Sequence, residues 1–281
     1  MPAYNEQDAI RETVLSIEEV LKGFEHEIIV VDDGSSDDTA LMAAKAGAIV
    51  IKHPHNLGYG ASLKSGIKRT SYDTIVITDA DGTYPNEHIP DLLREYKKGY
   101  DMVVGARKGN HYWESFVKGS FRLILKWLVE FTTGRKIPDV NSGLRIFSKK
   151  EIMPYFNHLC NTFSFTTSLT LAYMMSSKFV HYTPVSYNRR IGKTKVRLFR
   201  DMLRTMQYIV QAILYYNPLK LFLLISGFIF SASIFLLVIA FFFKFFSAFY
   251  LGIGGMLASI IVFCMGLLAD LLMQIMTRGG N

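Results

Sequence analysis

The sequence predicts an α/β protein: a mostly parallel sheet with helices on both faces, followed by a pair of helices able to cross a membrane. Three observations predict it. Short β-branched runs alternate with helical patterns as far as Tyr187, which suits parallel strands that are apolar because both sheet faces are covered. Two uncharged runs, Leu221–Phe243 and Phe245–Ala269, lie near the end of the chain. Charge is also segregated: residues 1–100 carry 17 acidic and 10 basic side chains, residues 101–220 carry 6 and 19, and residues 221–281 only Asp270, Lys244 and Arg278. Half of the 281 residues are hydrophobic and 14% are aromatic, which excludes a disordered chain, while 20% charged residues exclude an all-membrane one. The mean hydropathy of +0.20 averages two different regions.

Met1–Asn5 reads as the end of a strand. Only Met1 precedes Pro2 where a strand needs about five residues, so the sheet is expected to lack one strand body. No signal peptide is expected of Met1–Glu6, which has neither a basic nor an apolar region. Helix Glu6–Lys22 follows, then strand Ile28–Asp32, helix Asp37–Ala46 with an acidic cap, strand Ile49–Ile51 and helix Gly60–Arg69. Thr74–Thr78 is the next apolar strand, Glu87–Lys97 a helix, Met102–Gly105 a strand, and Trp113–Phe131 a long helix. Gly143–Phe147 and Phe179–Tyr187 read as strands, with helices Lys149–Phe156 and Thr166–Ser177 between them.

Leu221–Phe243 is 23 residues without a charge, roughly 34 Å of helix against a hydrocarbon core of about 30 Å. Lys244 is the only charge before the second run of 25 residues, so the two form a tight hairpin. A pair of buried soluble-core helices is the alternative, disfavoured by length without a polar stripe. Arg189, Arg190, Lys193, Lys195, Arg197, Arg200, Arg204 and Lys220 precede the first span and Arg278 follows the second. The positive-inside rule then places both flanks in the cytosol, with Asp270 near the cytosolic end of the second span. Val196–Tyr216 carries Phe199, Leu203, Met206, Val210, Ile213 and Leu214 at helical spacing. It reads as an amphipathic surface helix or an ordinary core-facing one. The expected division is therefore a catalytic domain over 1–195, a juxtamembrane helix over 196–217 and two spans over 218–281. Cys160 and Cys264 are too few for a disulfide framework, so free thiols and a reducing compartment are expected.

Parallel sheets bind ligands beyond the carboxyl ends of their strands, and chemistry-bearing residues follow three strands here. Asp79-Ala80-Asp81 places two carboxylates two apart, a pattern able to share Mg²⁺ or Mn²⁺ with a diphosphate, because these ions prefer oxygen ligands; a capped turn is the structural alternative. Asp32-Asp33-Gly34-Ser35 can accept hydrogen bonds from a base or ribose, or can simply be a solvated turn. The loop Arg189-Arg190-Ile191-Gly192-Lys193-Thr194-Lys195 can close over a diphosphate or bind anionic lipid. His53-Pro54-His55 reads as a plain loop, since no third metal ligand accompanies it.

Together Pro2-Ala3-Tyr4-Asn5-Glu6, Val31-Asp32-Asp33-Gly34-Ser35, Asn56-Leu57-Gly58-Tyr59-Gly60-Ala61 and Asp79-Ala80-Asp81-Gly82 resemble the family-2 glycosyltransferases with a GT-A fold. Asn141-Ser142-Gly143-Leu144-Arg145-Ile146-Phe147 and the C-terminal helix pair resemble the polyprenyl-phosphate branch, dolichol-phosphate mannose synthases and bactoprenol glucosyltransferases. The resemblance implies a nucleotide-sugar site of Pro2, Tyr4, Glu6, Val31, Asp33, Asp79, Ala80, Asp81, Arg107, Arg189 and Lys195. It implies a metal at Asp79, Asp81 and Thr83, although Thr83 stands where mannose synthases often carry Gln. Catalytic roles fall to Asp81, Arg107, Arg189 and Lys195, and contact with the acceptor phosphate to Arg107, Ser142 and Arg145.

The implied activity is inverting transfer of a hexose from a nucleotide-diphosphate sugar to a polyprenyl phosphate at the cytosolic membrane face. The Asn141–Phe147 and Phe163–Thr167 segments favour UDP-glucose, with GDP-mannose as the alternative donor. An inactive membrane scaffold and a processive polysaccharide synthase are alternatives of other classes. The intact Asp79-Ala80-Asp81 argues against the first, and the lack of a Gln-x-x-Arg-Trp motif against the second. The expected partners are the nucleotide sugar, the polyprenyl phosphate and membrane lipid; nucleic acid is not expected, and self-association is compatible with the reading.

Overall fold

The computed structural model describes residues 1–108, 116–188 and 198–278. The chain forms two units, 1–209 and 210–281.

The first unit carries two hydrogen-bonded sheets. In the first, β1 (Pro2–Ala3), β2 (Ile29–Asp32) and β3 (Ile49–Lys52) run parallel, with Pro2 opposite Val31 and Ile29 opposite Ile49. In the second, β4 (Thr74–Ile77), β6 (Arg145–Ser148), β5 (Met102–Lys108) and β7 (Val180–Ser186) lie in that order. Strand β6 is antiparallel to both β4 and β5, whereas β5 and β7 are parallel throughout their length. The sequence pattern predicts one mostly parallel sheet; the structure has a parallel sheet and a mixed one. The reversal at β6 leaves no trace in hydrophobic periodicity, which is the same for either strand direction. The two residues of β1 pair only with β2 among the described strands, so no ladder joins the sheets there.

Helix α1 (Gln7–Val20) joins them instead. Its Ile10 and Val14 pack with Ala3 and Val30 of the first sheet and with Ala43, Ala48 and Ala80 beside it. Its Ile17, with Leu21 just beyond, packs with Val103 and Ile146 of the second sheet and with Tyr84, Leu92 and Leu144 beside them. Burial of each such aliphatic side chain contributes about 1.5–3 kcal/mol, so one amphipathic face ties both sheets into one core.

The remaining helices cover the sheets: α2 (Thr39–Lys45), α3 (Tyr59–Arg69), α4 (Ile89–Tyr96), α5 (Phe116–Thr133), α6 (Lys149–Ile152) and α7 (Phe165–Met175). Two expected helices are shorter because a proline interrupts each. Pro90 in the first turn of α4 leaves Asn86–His88 as a separate 3₁₀ turn, and Pro154 ends α6 in the 3₁₀ turn Met153–Tyr155. Proline has no N–H to continue the ladder. On α5, Leu123, Trp127 and Phe131 are exposed four residues apart, and the Trp127 and Phe131 rings stack at 5.5 Å.

Helix α8 (Leu198–Tyr216) runs from the first unit into the second, which continues with α9 (Pro218–Phe243) and α10 (Phe246–Arg278). Pro218–Phe243 and Phe246–Ile275 are long and apolar enough to cross a membrane. Asn217 caps α9 by accepting from the Lys220 N–H, and Lys244 ends it in the left-handed conformation. The helices pack through small residues: Gly255 faces Ser233, Gly252 faces Leu237 and Gly266 faces Phe222 too closely for any added Cβ. Phe241, Phe242, Phe243 and Phe246 are exposed, an apolar surface that hydrocarbon would cover.

Candidate active site

The candidate residues lie at the ends of β1, β2, β4 and β5, on the turns that follow them, and on the segment entering β6. The first group is built from backbone. The left-handed Asn5 donates its N–H to Ser35 Oγ at 2.9 Å and accepts from the Ser36 N–H at 2.8 Å through Oδ1. The Glu6 N–H donates to Thr39 Oγ1 at 2.8 Å. Gly34 has φ +74° and lies so near the next loop that a Cβ would stand 2.7 Å from His55 backbone carbon; only glycine satisfies both conditions. Tyr4 is half-buried. Pro2, Val31 and Ala80 are buried beneath this surface, so their side chains support the site rather than face it.

Asp33 departs from its expected role of contacting a nucleoside. It is only 3% exposed. Its Oδ1 accepts from the Leu57 N–H at 2.9 Å and is 2.7 Å from His53 Nδ1; its Oδ2 accepts from the Gly58 N–H at 2.8 Å. The carboxylate therefore holds the 53–58 loop. The neighbouring Asp32 accepts from the Ser35 N–H at 3.1 Å and closes the turn.

The second group surrounds Asp79. Tyr59, at the start of α3, donates its hydroxyl to Asp79 Oδ1 at 2.9 Å. On another side the carboxylate abuts Gly143, where a Cβ would lie 2.8 Å from both oxygens. Asp81 is buried and accepts from Thr83, from its N–H at 3.1 Å and its hydroxyl at 2.6 Å. Thr83, the third expected metal ligand, is fully buried and its hydroxyl proton is engaged by Asp81, so it also shapes the turn. The Thr83 carbonyl accepts from the Asn188 N–H at 2.9 Å, which brings the segment after β7 to this turn.

The third group holds a cation. Arg107 Nε and Nη2 donate to Asp139 at 2.7 and 2.9 Å, a bidentate pair with both side chains largely buried. Burial alone would raise the Asp139 carboxyl, but the Arg107 charge and the N–H groups of Arg107 and Asn141 outweigh it, so its pKa lies below the ordinary carboxylate value. The guanidinium also lies over the Tyr187 ring, which meets Tyr84 edge-on. Tyr84 Oη accepts from the Gly143 N–H at 2.6 Å, and burial pushes its pKa up so that it stays a neutral phenol.

Ser142 and Arg145 also depart from expectation. Both are fully buried. Ser142 Oγ donates to the Gly105 carbonyl at 2.5 Å. Arg145 donates from Nε to the Ser142 carbonyl at 2.7 Å, from Nη2 to the Val140 carbonyl at 2.8 Å, and from Nη1 to Thr170 Oγ1 at 2.7 Å. Its guanidinium thus fixes loop 139–143 from below, and it reaches no surface from which to meet an acceptor phosphate. Arg189 and Lys195 lie outside the described residues.

Asp79, Arg107 and Asp81 are therefore brought together around one hydrogen-bonded loop. Asp139, Tyr59, Tyr84 and Tyr187 belong to the same constellation, and sequence reasoning did not single them out. Asp139 sits two residues before the Asn141–Phe147 motif and Tyr59 inside the Asn56–Ala61 motif, which were the available signals. Among the described residues no group of three His, Cys, Asp or Glu side chains could hold a metal ion by itself. Two hard carboxylates near a cation instead fit an ion that completes its shell with ligand oxygens.

Known proteins resemble the chain in both sequence and fold. The sequence model of glycosyl transferase family 2 matches residues 1–156. An undecaprenyl-phosphate 4-deoxy-4-formamido-L-arabinose transferase of Klebsiella pneumoniae (strain 342) is 31% identical over 229 residues, covering 79% of this chain and 68% of that one. A dolichyl-phosphate hexose transferase of Haloferax volcanii is 30% identical over 201 residues, 71% of this chain and 86% of that one. Among solved structures, glucosyl-3-phosphoglycerate synthase from Mycobacterium tuberculosis in complex with uridine diphosphate superposes with a TM-score of 0.63 at 20% identity, over 75% and 77% of the two chains. The fold is thus that of the GT-A glycosyltransferases.

Proposed function

The chain belongs to glycosyl transferase family 2, and from that premise we propose that it transfers a hexose from a nucleoside-diphosphate sugar to a polyprenyl phosphate, with inversion at the anomeric carbon. The observation that carries the reading is that Gly143, which abuts the Asp79 carboxylate, donates to Tyr84, a phenol within electrostatic reach of both Asp79 and the Arg107–Asp139 pair. Relatives named for undecaprenyl-phosphate and dolichyl-phosphate acceptors support the acceptor class.

In the reaction, an acceptor phosphate oxygen forms a bond to the anomeric carbon while the bond from that carbon to the donor diphosphate breaks. A phosphate monoester has a second pKa near 6, so the nucleophile is largely anionic at neutral pH and needs no strong base. The obstacles are leaving-group charge and the approach of two anions. Arg107, fixed by Asp139, supplies a cation preset for both. Arg189 follows directly on Asn188, whose N–H reaches Thr83, and Lys195 comes six residues after Arg189 in the chain; their charge suits the diphosphate. Mg²⁺ or Mn²⁺, when bound, neutralises the departing diphosphate as a Lewis acid; Asp79 and Asp81 would hold it.

The donor is read as a UDP-hexose, UDP-glucose first. The acceptor's chemistry lies at a bilayer surface. Two apolar helices anchored there, the exposed face of α5 and the basic run Arg189–Arg204 fit such a surface. The positive-inside pattern puts the catalytic unit in the cytosol.

The test is a panel of labelled nucleotide sugars offered with polyprenyl phosphate, followed by identification of the lipid product. One sugar in phosphodiester linkage to the polyprenol is expected; nucleotide-sugar hydrolysis without lipid product would refute the acceptor. Asp81→Ala should abolish transfer, and chelation by EDTA should do the same to the wild type. Near-normal turnover in either case would remove the metal from the reading.

A further inference from the structure

We propose that Tyr59 is a positioning residue for Asp79, and that the Asp33–His53–Ser65 chain holds the loop that delivers it. This rests on the reading that Asp79 faces the donor diphosphate and its metal ion.

Three elements converge. His53 follows β3, and its Nδ1 lies 2.7 Å from Asp33 Oδ1 while its Nε2 lies 2.9 Å from Ser65 Oγ on α3. Both side chains of the His53–Asp33 pair are buried. An ionised carboxylate only accepts, so Nδ1 carries the proton toward Asp33, and in the neutral ring Nε2 accepts from the Ser65 hydroxyl. The same Asp33 carboxylate accepts from the N–H groups of Leu57 and Gly58. Tyr59 is the next residue, and its hydroxyl reaches Asp79 at 2.9 Å. An unbroken path therefore runs from the turn after β2, through the His53 loop, to the carboxylate after β4.

The path has a chemical purpose. Asp79 and Asp81 are two residues apart and repel one another when both are charged. Tyr59 on one side and the Cβ-free Gly143 on the other confine the Asp79 carboxylate to one orientation before a cation arrives. Ordering it in advance removes that cost from binding. Stacking of the Tyr59 ring on Phe163 at 5.7 Å steadies the ring.

The test measures binding of UDP and of GDP to the full chain in lipid nanodiscs by calorimetry, with and without Mn²⁺. Tyr59→Phe is expected to weaken Mn²⁺-dependent binding of the preferred nucleotide about tenfold, the equivalent of one hydrogen bond to a charged group. Binding without Mn²⁺ should stay within about twofold, since the group removed acts on the carboxylate alone. His53→Ala should share the Mn²⁺-dependent loss, and His53→Asn, whose amide can donate where Nδ1 does, should recover most of it. Unchanged Mn²⁺-dependent binding in Tyr59→Phe, or equal loss with and without Mn²⁺, overturns the proposal. Wild type that binds neither nucleotide more tightly with Mn²⁺ overturns the underlying reading of Asp79, and this proposal with it.

Discussion

Arg107 and Asp139 are 32 positions apart in the chain and form a bidentate, largely buried ion pair. Removing one member of a largely buried pair leaves the other uncompensated, at a cost of about 3–5 kcal/mol. Asp139→Asn should therefore lower the thermal midpoint and turnover together, because Arg107 loses its fixed orientation. The sign with pH follows from the depressed Asp139 pKa. A carboxylate whose folded pKa lies below its unfolded value contributes stability above the unfolded pKa of about 4 and loses it as pH falls through the folded one. The stability gap between wild type and Asp139→Asn should thus be level from neutral pH to about pH 5 and vanish only in stronger acid. A gap that closed near pH 6 would contradict the assignment. At this scale the sequence disclosed residues whose local spacing carries meaning, such as Asp79 and Asp81. It did not disclose Asp139, Tyr59 or Tyr84, ordinary residues whose partners come from distant segments. It also suggested surface roles for Asp33, Ser142 and Arg145, because residue type and motif do not reveal whether a polar group faces the ligand or supports the loop that does.

At the scale of elements, the six strands expected in full form, Met1–Asn5 contributes the two-residue β1, and their order along the chain follows from β-branched runs between turn residues. Direction and pairing are what periodicity does not encode, so β6 entered antiparallel between β4 and β5. The consequence reaches the site: the reversed strand starts at Arg145, so the Asp139–Gly143 loop leading into it is brought to the end of β5 where Arg107 lies. Helix α5 carries another feature that is visible only with burial in hand. Leu123, Trp127 and Phe131 form one exposed stripe, and the Lys126 side chain, next to Trp127 in the chain, is exposed as well. Aromatic and basic residues side by side suit a headgroup layer. With Trp113→Phe, Trp127 is the only tryptophan left. Its emission should then be quenched by brominated lipid in vesicles of mixed anionic and neutral composition. Emission indifferent to bromine would take α5 away from the membrane.

For the whole molecule, the net charge of +7 is the sum of unlike parts. The acidic first hundred residues carry Asp79 and Asp81, the basic middle carries the Arg107–Asp139 pair and the Arg189–Arg204 run, and the final segment is nearly neutral. The orientation that this pattern implies can be measured. In a Cys264→Ser background, Lys244→Cys is expected to react with a membrane-impermeant maleimide only from the side opposite the cytosol. Labelling from the cytosolic side alone would invert the arrangement. Two long uncharged runs made the helical hairpin legible from composition, whereas the glycine contacts that pack it are matters of shape.

The turn at Lys244 has a last consequence. Only Lys244 and Phe245 separate α9 from α10, so the chain reverses within two residues and the two helices must cross side by side. In the proposed orientation, the one charge at that reversal, Lys244, marks how deep the hairpin reaches, because its ammonium has to meet water or headgroups on the far leaflet.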